Sequence, residues 1–340
     1  MKKSYKTIIV GAGPGGLRCA KILAEKGEDF ILLERNSEIK RKICTGLWGL
    51  SKKTKHMKIP NYLLENKFNK VIVSTPYQKY ELKLKKPYLA ILNRKKLGGW
   101  MLKEAEKAGA KISFSSPVTK IGKNFVVSNN KKIYFDYLVG ADGSNSIIRK
   151  FLKKPFKKII AIQYWLKHKT KIPEFHLDAA KFGPWYAWIT PRGDLTSVGT
   201  GAESKVIPFN KLKKNLDKFC KERKIDISQV QLEGHPINFV YSGHKFGNKF
   251  LVGDAGGFAS GLLGEGIYFA MASGEDVAKT IVNKKHKPNL IEEVLDIKRT
   301  HELMLKDFLI NKPLTEIQYE LFVALLHLKF FDKEVIDILT

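Results

Sequence analysis

The chain has 340 residues, 61 of them Lys or Arg and 33 Asp or Glu, which gives a formal charge of +28 and a pI near 9.8. With 44% hydrophobic and 11% aromatic residues it has ample material for a packed core, which excludes a disordered or low-complexity scaffold. No run of about 18 apolar residues is free of charges or glycine clusters, so no segment reads as a spanning helix. Three cysteines (Cys19, Cys44, Cys220) fit a reducing cytoplasm better than a disulfide framework. The histidines lack ligand spacing, and no metal is expected. Only eight of the cations are Arg, and richness in Lys, Ile and Asn is what AT-rich coding yields by drift. A nucleic-acid reader leans on Arg for bidentate contacts, so nucleic acid is not expected as a partner. An anionic lipid surface or a diphosphorylated substrate suits the charge better.

Along the chain, Met1 to Gly16 opens with Lys2 and Lys3 before a short apolar stretch that ends in glycines, and it reads as mature sequence. Thr7 to Val10 is a β-branched strand, followed at once by Gly11-Ala-Gly13-Pro14-Gly15-Gly16, then by Leu17 to Lys26 with helical periodicity. A second strand, Phe30 to Leu33, ends in Glu34. This is a dinucleotide fingerprint in its required context: Gly11 makes the tight turn, Gly13 lets the backbone approach a pyrophosphate, and Gly16 lets helix and strand pack. Glu34 can accept hydrogen bonds from both hydroxyls of an adenosine ribose. The helix N-terminus faces the phosphates. The fingerprint alone leaves NAD and FAD open.

Leu92 to Leu97 opens a helix that continues to Lys107 and ends at Gly109, and Lys111 to Val118 reads as a strand region. Tyr134 to Val139 is a strand running into Gly140-Ala-Asp142-Gly143-Ser144. Lys249 to Val252 is another, running into Gly253-Asp254-Ala-Gly-Gly257, with Gly264-Glu-Gly266-Ile267 and a small-residue helix beyond it. This trio resembles the FAD pattern of the aromatic-hydroxylase-like flavoprotein superfamily. The resemblance implies FAD, with Asp254 on a ribityl hydroxyl and the helix starting near Gly266 directed at the flavin N1/O2 edge, where negative charge builds on reduction. It further implies cofactor contacts from Arg35, Asp142, Gly264 and Ile267, from Arg94 at the head of its helix, and from the Val118 backbone near the adenine.

Two stretches narrow the resemblance: Lys42-Ile-Cys44-Thr45-Gly46 and Pro184-Trp185-Tyr186-Ala-Trp188-Ile-Thr-Pro191. Both resemble the geranylgeranyl reductase family (digeranylgeranylglycerophospholipid reductase-like), which carries a K-x-C-G-G turn and a P-x-x-Y-x-W-x-F-P segment over the flavin. Thr45 stands where that family usually has Gly, Gly261 where it has Pro, and Thr190 where it has Phe. The resemblance places Lys42, Cys44 and Thr45 at the flavin. The aromatic residues Trp165, Trp185, Tyr186 and Trp188 alternate as in a strand that walls an apolar groove. Tyr186 and Cys44 are the expected proton donors, with water as the third option.

The resulting expectation is an α/β chain. A Rossmann-like FAD-binding domain of glutathione-reductase/aromatic-hydroxylase type (1–60, 88–155 and 245–285) carries an inserted β-sheet substrate domain (61–87 and 156–244) and C-terminal helices (286–340). Ile317 to Phe331 is expected to be a buried helix, with an in-plane membrane anchor as its alternative. The family implies hydrogenation of C=C bonds in isoprenoid chains by a cytoplasmic protein with an inner-membrane-surface option, and because Gly199-Thr-Gly201 lacks the third glycine and following helix of a second nucleotide fingerprint, an external electron donor (ferredoxin, NAD(P)H or another reduced carrier) is expected. An FAD monooxygenase of an aromatic or quinone, a halogenase and a non-enzymatic lipid carrier are the competing readings.

Overall fold

The structure, a computed structural model, describes residues 3–40, 42–167 and 170–328. Strand Ser4–Val10 lies at the centre of a largely parallel sheet, flanked by Phe30–Leu33 on one side and Lys131–Gly140 on the other, with Lys249–Leu251 beyond. Val10 pairs with both Leu33 and Gly140, and Gly140 pairs with Leu251. Four strands therefore finish in register. The glycine turn, Glu34, the Gly140–Ser144 segment and the Gly253–Gly257 segment all leave the same carboxyl edge, the place where open α/β sheets bind ligands.

The sheet strands are near-continuous apolar runs because both faces are covered, as parallel sheets require. One face carries helices Pro14–Glu25, Arg94–Lys107 and Ile267–Val282, through Leu17, Leu23, Leu97, Met101 and Met271. The other buries Ile8, Val10, Leu33, Phe135 and Leu138. Asn93 starts its helix by accepting hydrogen bonds from the Lys95 and Lys96 amides at 3.1 and 3.0 Å, the usual N-cap device.

Helices Pro14–Glu25 and Ile267–Val282 meet backbone to backbone. A Cβ added to Gly274 would fall 2.1 Å from the Gly15 carbonyl oxygen, so the crossing tolerates no side chain. Gly11, at φ +103°, occupies a region open to glycine at little cost, and a Cβ there would lie 2.5 Å from the Ala141 oxygen.

A second, mostly antiparallel sheet runs in the order Glu233–Asn238, Lys158–Leu166, Leu195–Glu203, Tyr186–Arg192, Glu174–Leu177, Lys70–Ser74, Lys79–Lys83. Helix Phe209–Glu222 covers one face through Leu212, Leu216 and Phe219. A three-stranded sheet pairs Leu47–Gly49 with Leu89–Leu92 and Leu89–Leu92 with Leu64–Phe68.

Two expectations change. The strand region at Lys111 to Val118 is two pieces, Ile112–Ser113 and Val118–Ile121. Ser115 at φ +49° and Pro117, which has no N–H to donate, break it. The helix expected from Ile317 is Thr315–His327, buried only along Thr315, Tyr319, Val323 and Leu326; Ile317, Leu321 and Leu325 face outward. Phe330 and Phe331 lie outside the described residues.

The Gly15–Gly274 crossing has a direct test. Gly274→Ala should destabilise the fold by about 1–3 kcal/mol through overpacking against backbone, read as a fall of several degrees in the melting temperature followed by circular dichroism.

Candidate functional site

The cleft at the carboxyl edge is lined by Gly13, Pro14 and Gly15 from the first turn, Lys42 to Cys44, Arg94, Ala141 and Gly143, Val252 to Asp254, and Gly264, Gly266 and Ile267. A Cβ on Gly13 would meet protein only at 3.8 Å, from the Ala141 oxygen, so its bare face leaves room on the cleft side for a bound group. Arg94 is buried, yet its Nε and Nη1 have no hydrogen-bond partner among the described residues. A buried guanidinium with idle donors in a cleft beside a helix N-terminus fits an anionic group such as a pyrophosphate.

Glu34 is buried at the end of its strand, with one carboxyl oxygen accepting from the Ala12 amide at 2.8 Å and the other from the Asn36 amide at 2.9 Å. These bonds fix the carboxylate, and its remaining lone pairs are available to a ribose. Asp254 is also held in place. It accepts from Ser144 Oγ at 2.9 Å and lies 3.4 Å from Lys42 Nζ. Burial would raise its pKa, but Lys42 and the Ser144 hydroxyl outweigh that and keep the carboxyl below its usual range.

Other expected cofactor residues are placed differently. Asp142 accepts from the Ile147 amide at 2.7 Å and does not line the cleft, although its neighbours Ala141 and Gly143 do. Gly11 and Gly16 shape the turn from behind, and Arg35 is exposed. Val118 is half-buried at the start of its strand, away from the cleft lining.

Next to the cleft is a cavity of about 230 Å³. Ile43, Cys44, His235, Ile237, Gly264, Gly266 and Ile267 border both spaces, so the two share a seam. Most of the rest of the cavity wall is apolar and aromatic, including Val71, Val73, Leu89, Phe175, Leu177, Trp185, Tyr186, Trp188, Leu262 and Phe322. Thr45 belongs to this cavity and not to the cleft. Trp165 lines neither; the Arg192 guanidinium packs over its ring at 4.1 Å, and the alternation of aromatic residues gave no way to foresee that partner.

The aromatic segment holds the glycine-rich loop. Trp185 Nε1 donates to the Gly261 oxygen at 2.9 Å, and Tyr186 donates to the Leu263 oxygen at 2.7 Å. Trp188 Nε1 donates to Ser197 Oγ at 2.9 Å. Within the loop, the Ser260 amide donates to the Glu265 oxygen at 2.8 Å and the Gly264 amide to the Ser260 oxygen at 3.1 Å. The Tyr186 hydroxyl is therefore committed to a carbonyl. Burial, reinforced by Glu265 and Cys44, pushes its pKa well up, which makes it a poor acid. Cys44 Sγ accepts from the Gly46 amide at 3.3 Å, shaping its own turn.

Three titratable cavity residues escaped the sequence reading: Tyr88, His235 and Glu265. His235, its Nε2 buried without a partner among the described residues, has a pKa pushed down to about 4 by burial and then by Lys42, so it is neutral at pH 7. Glu265 has a pKa raised by burial to about 8. Its only sequence signal was an acid between two glycines of a loop.

Residues 5–155 match the family model described as pyridine nucleotide-disulphide oxidoreductase. The chain is 24% identical to the chloroplastic geranylgeranyl diphosphate reductase of Arabidopsis thaliana over 350 residues, covering 94% of this chain and 74% of that one. It is 28% identical to digeranylgeranylglycerophospholipid reductase 2 of Methanosphaera stadtmanae over 333 residues, covering 86% and 83%. Among solved structures, a geranylgeranyl bacteriochlorophyll reductase-like protein from Thermoplasma acidophilum superposes with a TM-score of 0.79 at 21% identity, covering 95% of this chain and 91% of that one. The chain is an FAD-dependent oxidoreductase. Within that class it is similar in sequence to proteins named geranylgeranyl diphosphate reductase and digeranylgeranylglycerophospholipid reductase, and the resemblance read from its sequence is borne out.

The idle guanidinium supplies a test. Arg94→Ala should weaken FAD binding about 10- to 100-fold, the loss of roughly 1.5–3 kcal/mol from charged hydrogen bonds, as measured by flavin fluorescence titration.

Proposed function

We propose that the protein hydrogenates C=C bonds of geranylgeranyl chains carried on glycerophospholipids or prenyl diphosphates, with the electrons entering through FAD. The supporting observation is the apolar, aromatic-walled cavity that shares a seam with the dinucleotide cleft at Cys44, Gly264 and Ile267. An isoprenoid chain offers no hydrogen bonds, so recognition rests on burying its apolar surface, and this wall is suited to that.

Gly13 to Gly15, Arg94, Lys42 and Asp254 in the cleft would hold the cofactor, with Glu34 beside the glycine turn on the Ala12 amide. Bound and reduced, FAD supplies a hydride. The chain's residues do the rest. Trp185 and Tyr186 pin the Gly261–Glu265 loop over the seam, and the cavity wall excludes water from the double bond. An external carrier as reductant is supported by Gly199-Thr-Gly201 lying inside strand Leu195–Glu203 and not at the strand-to-helix turn of a second nucleotide site.

Access from an anionic bilayer also fits. Helix Thr315–His327 exposes Ile317, Leu321 and Leu325 on one side while its Phe322 lines the cavity, and Leu314 and Leu328 extend the stripe. No helix among the described residues is long and apolar enough to cross a membrane, so this stripe would lie in the interface, assisted by the +28 charge.

Two measurements test this reading. Anaerobically reduced enzyme mixed with a digeranylgeranyl glycerophospholipid or geranylgeranyl diphosphate should yield product heavier by two mass units per bond reduced; consumption of O2 with an oxygenated product would contradict it. Leu321→Glu/Leu325→Glu should lose most binding to vesicles containing phosphatidylglycerol in a sedimentation assay, with flavin content unchanged. Equal binding by the variant would remove the membrane assignment.

A further inference from the structure

An isolated alkene is a poor hydride acceptor, so its hydrogenation needs a proton delivered in step with the hydride. The proton must come from a group at the seam between cleft and cavity. The titratable groups lining the cavity are Cys44, Tyr88, Tyr186, His235 and Glu265, with Lys42 and Asp254 just across the seam.

Most are excluded by what they already do. Tyr186 donates to the Leu263 carbonyl, and Tyr88 donates to the Leu82 carbonyl at 3.0 Å. His235 carries no second proton at neutral pH, and Asp254 is held ionised by Lys42 and Ser144. Cys44 turns its sulfur toward its own backbone.

Glu265 is different. It lies between Gly264 and Gly266, which border both spaces, while Glu265 itself lines only the cavity. Its carboxyl makes no hydrogen bond or ion pair among the described residues. Its backbone is fixed, with the carbonyl accepting from Ser260 and the preceding residues tied to Trp185 and Tyr186. The loop is thus rigid where the acid is carried, and the acid faces the apolar space.

Building on the reductase reading, we propose that Glu265 is the catalytic acid: its carboxyl gives its proton to one alkene carbon as the hydride of reduced FAD reaches the other. Two C–H bonds form and the π bond is lost. The alkene is reduced by two electrons and the flavin oxidised by two, and the Glu265 carboxylate regains a proton from water before the external carrier restores the flavin. Burial is what makes this workable at neutral pH, since a carboxyl with a pKa near 8 still holds its proton there. The Y-x-W segment then has a positioning role, holding the loop rather than donating the proton.

The test compares wild type, Glu265→Gln and Glu265→Asp holoenzymes. In single turnovers with geranylgeranyl diphosphate and, separately, a digeranylgeranyl glycerophospholipid, Glu265→Gln should slow hydrogenation 100-fold or more with FAD affinity held within twofold. The wild-type rate should fall as pH rises through about 8, and Glu265→Asp should retain activity with that limb displaced. A second readout needs no turnover. A carboxyl whose folded pKa lies above its unfolded value costs stability as pH rises between the two. The melting temperature of Glu265→Gln minus that of wild type should therefore increase from pH 5 to pH 9. A Glu265→Gln rate within threefold of wild type, or a melting difference that does not change with pH, overturns the assignment. Wild-type enzyme that yields no hydrogenated product refutes the reductase reading instead, and the melting series still decides whether the carboxyl is protonated.

Discussion

The site depends on the contact between the Gly15 carbonyl and Gly274. It brings the helix that follows the first glycine turn against the helix that follows the last, joining segments about 260 residues apart in sequence. Because no Cβ fits there, the two helix N-termini converge on one cleft. One is suited to phosphates, and the other is suited to an electron-rich ring edge. The registered strand ends at Val10, Leu33, Gly140 and Leu251 bring Glu34, Ala141 and Val252 to the same edge. Cleft geometry is thus a consequence of sheet register and one close helix crossing.

The cavity depends on a different device. The loop from Ser260 to Gly266 could not close over an apolar space unless its carbonyls found partners, since unpaired buried carbonyls are costly. The indole N–H of Trp185 and the hydroxyl of Tyr186 supply them. Lys298 does the same further back, its Nζ donating to the Phe239 and Ala259 oxygens. Arg149, fully buried, donates to the Pro155 and Ala255 oxygens at 2.8 and 3.0 Å. Long cations are spent on anchoring backbone around the site, which leaves the space itself largely apolar, with Glu265 as the one carboxyl lining it among the described residues.

The dinucleotide half was legible in the sequence because its chemistry is local: strand, glycines, helix and acid follow one another within about 30 residues. The aromatic segment was legible as a pocket wall, but its polar duties were not. Trp185 and Tyr186 reach partners more than 70 residues away, and nothing in an alternating strand pattern encodes that. Trp165 follows the same alternation yet packs under Arg192. Glu265 passed unread because an acid in a glycine loop has no pattern of its own; its meaning comes from the apolar residues folded around it. The last helix misled for the opposite reason, since an all-round apolar pattern does not say which side another element will cover.

The proposed reaction requires an isoprenoid double bond at the seam between cleft and cavity. The most direct measurement is a structure of the reduced, FAD-loaded protein with geranylgeranyl diphosphate bound under anaerobic conditions. The account predicts the chain threaded along the Trp185–Trp188 wall, with one alkene carbon within ~3.5 Å of the flavin N5 and its neighbour at similar distance from the Glu265 carboxyl. A chain seated elsewhere, or a seam closed to it by the bound flavin, would contradict the account.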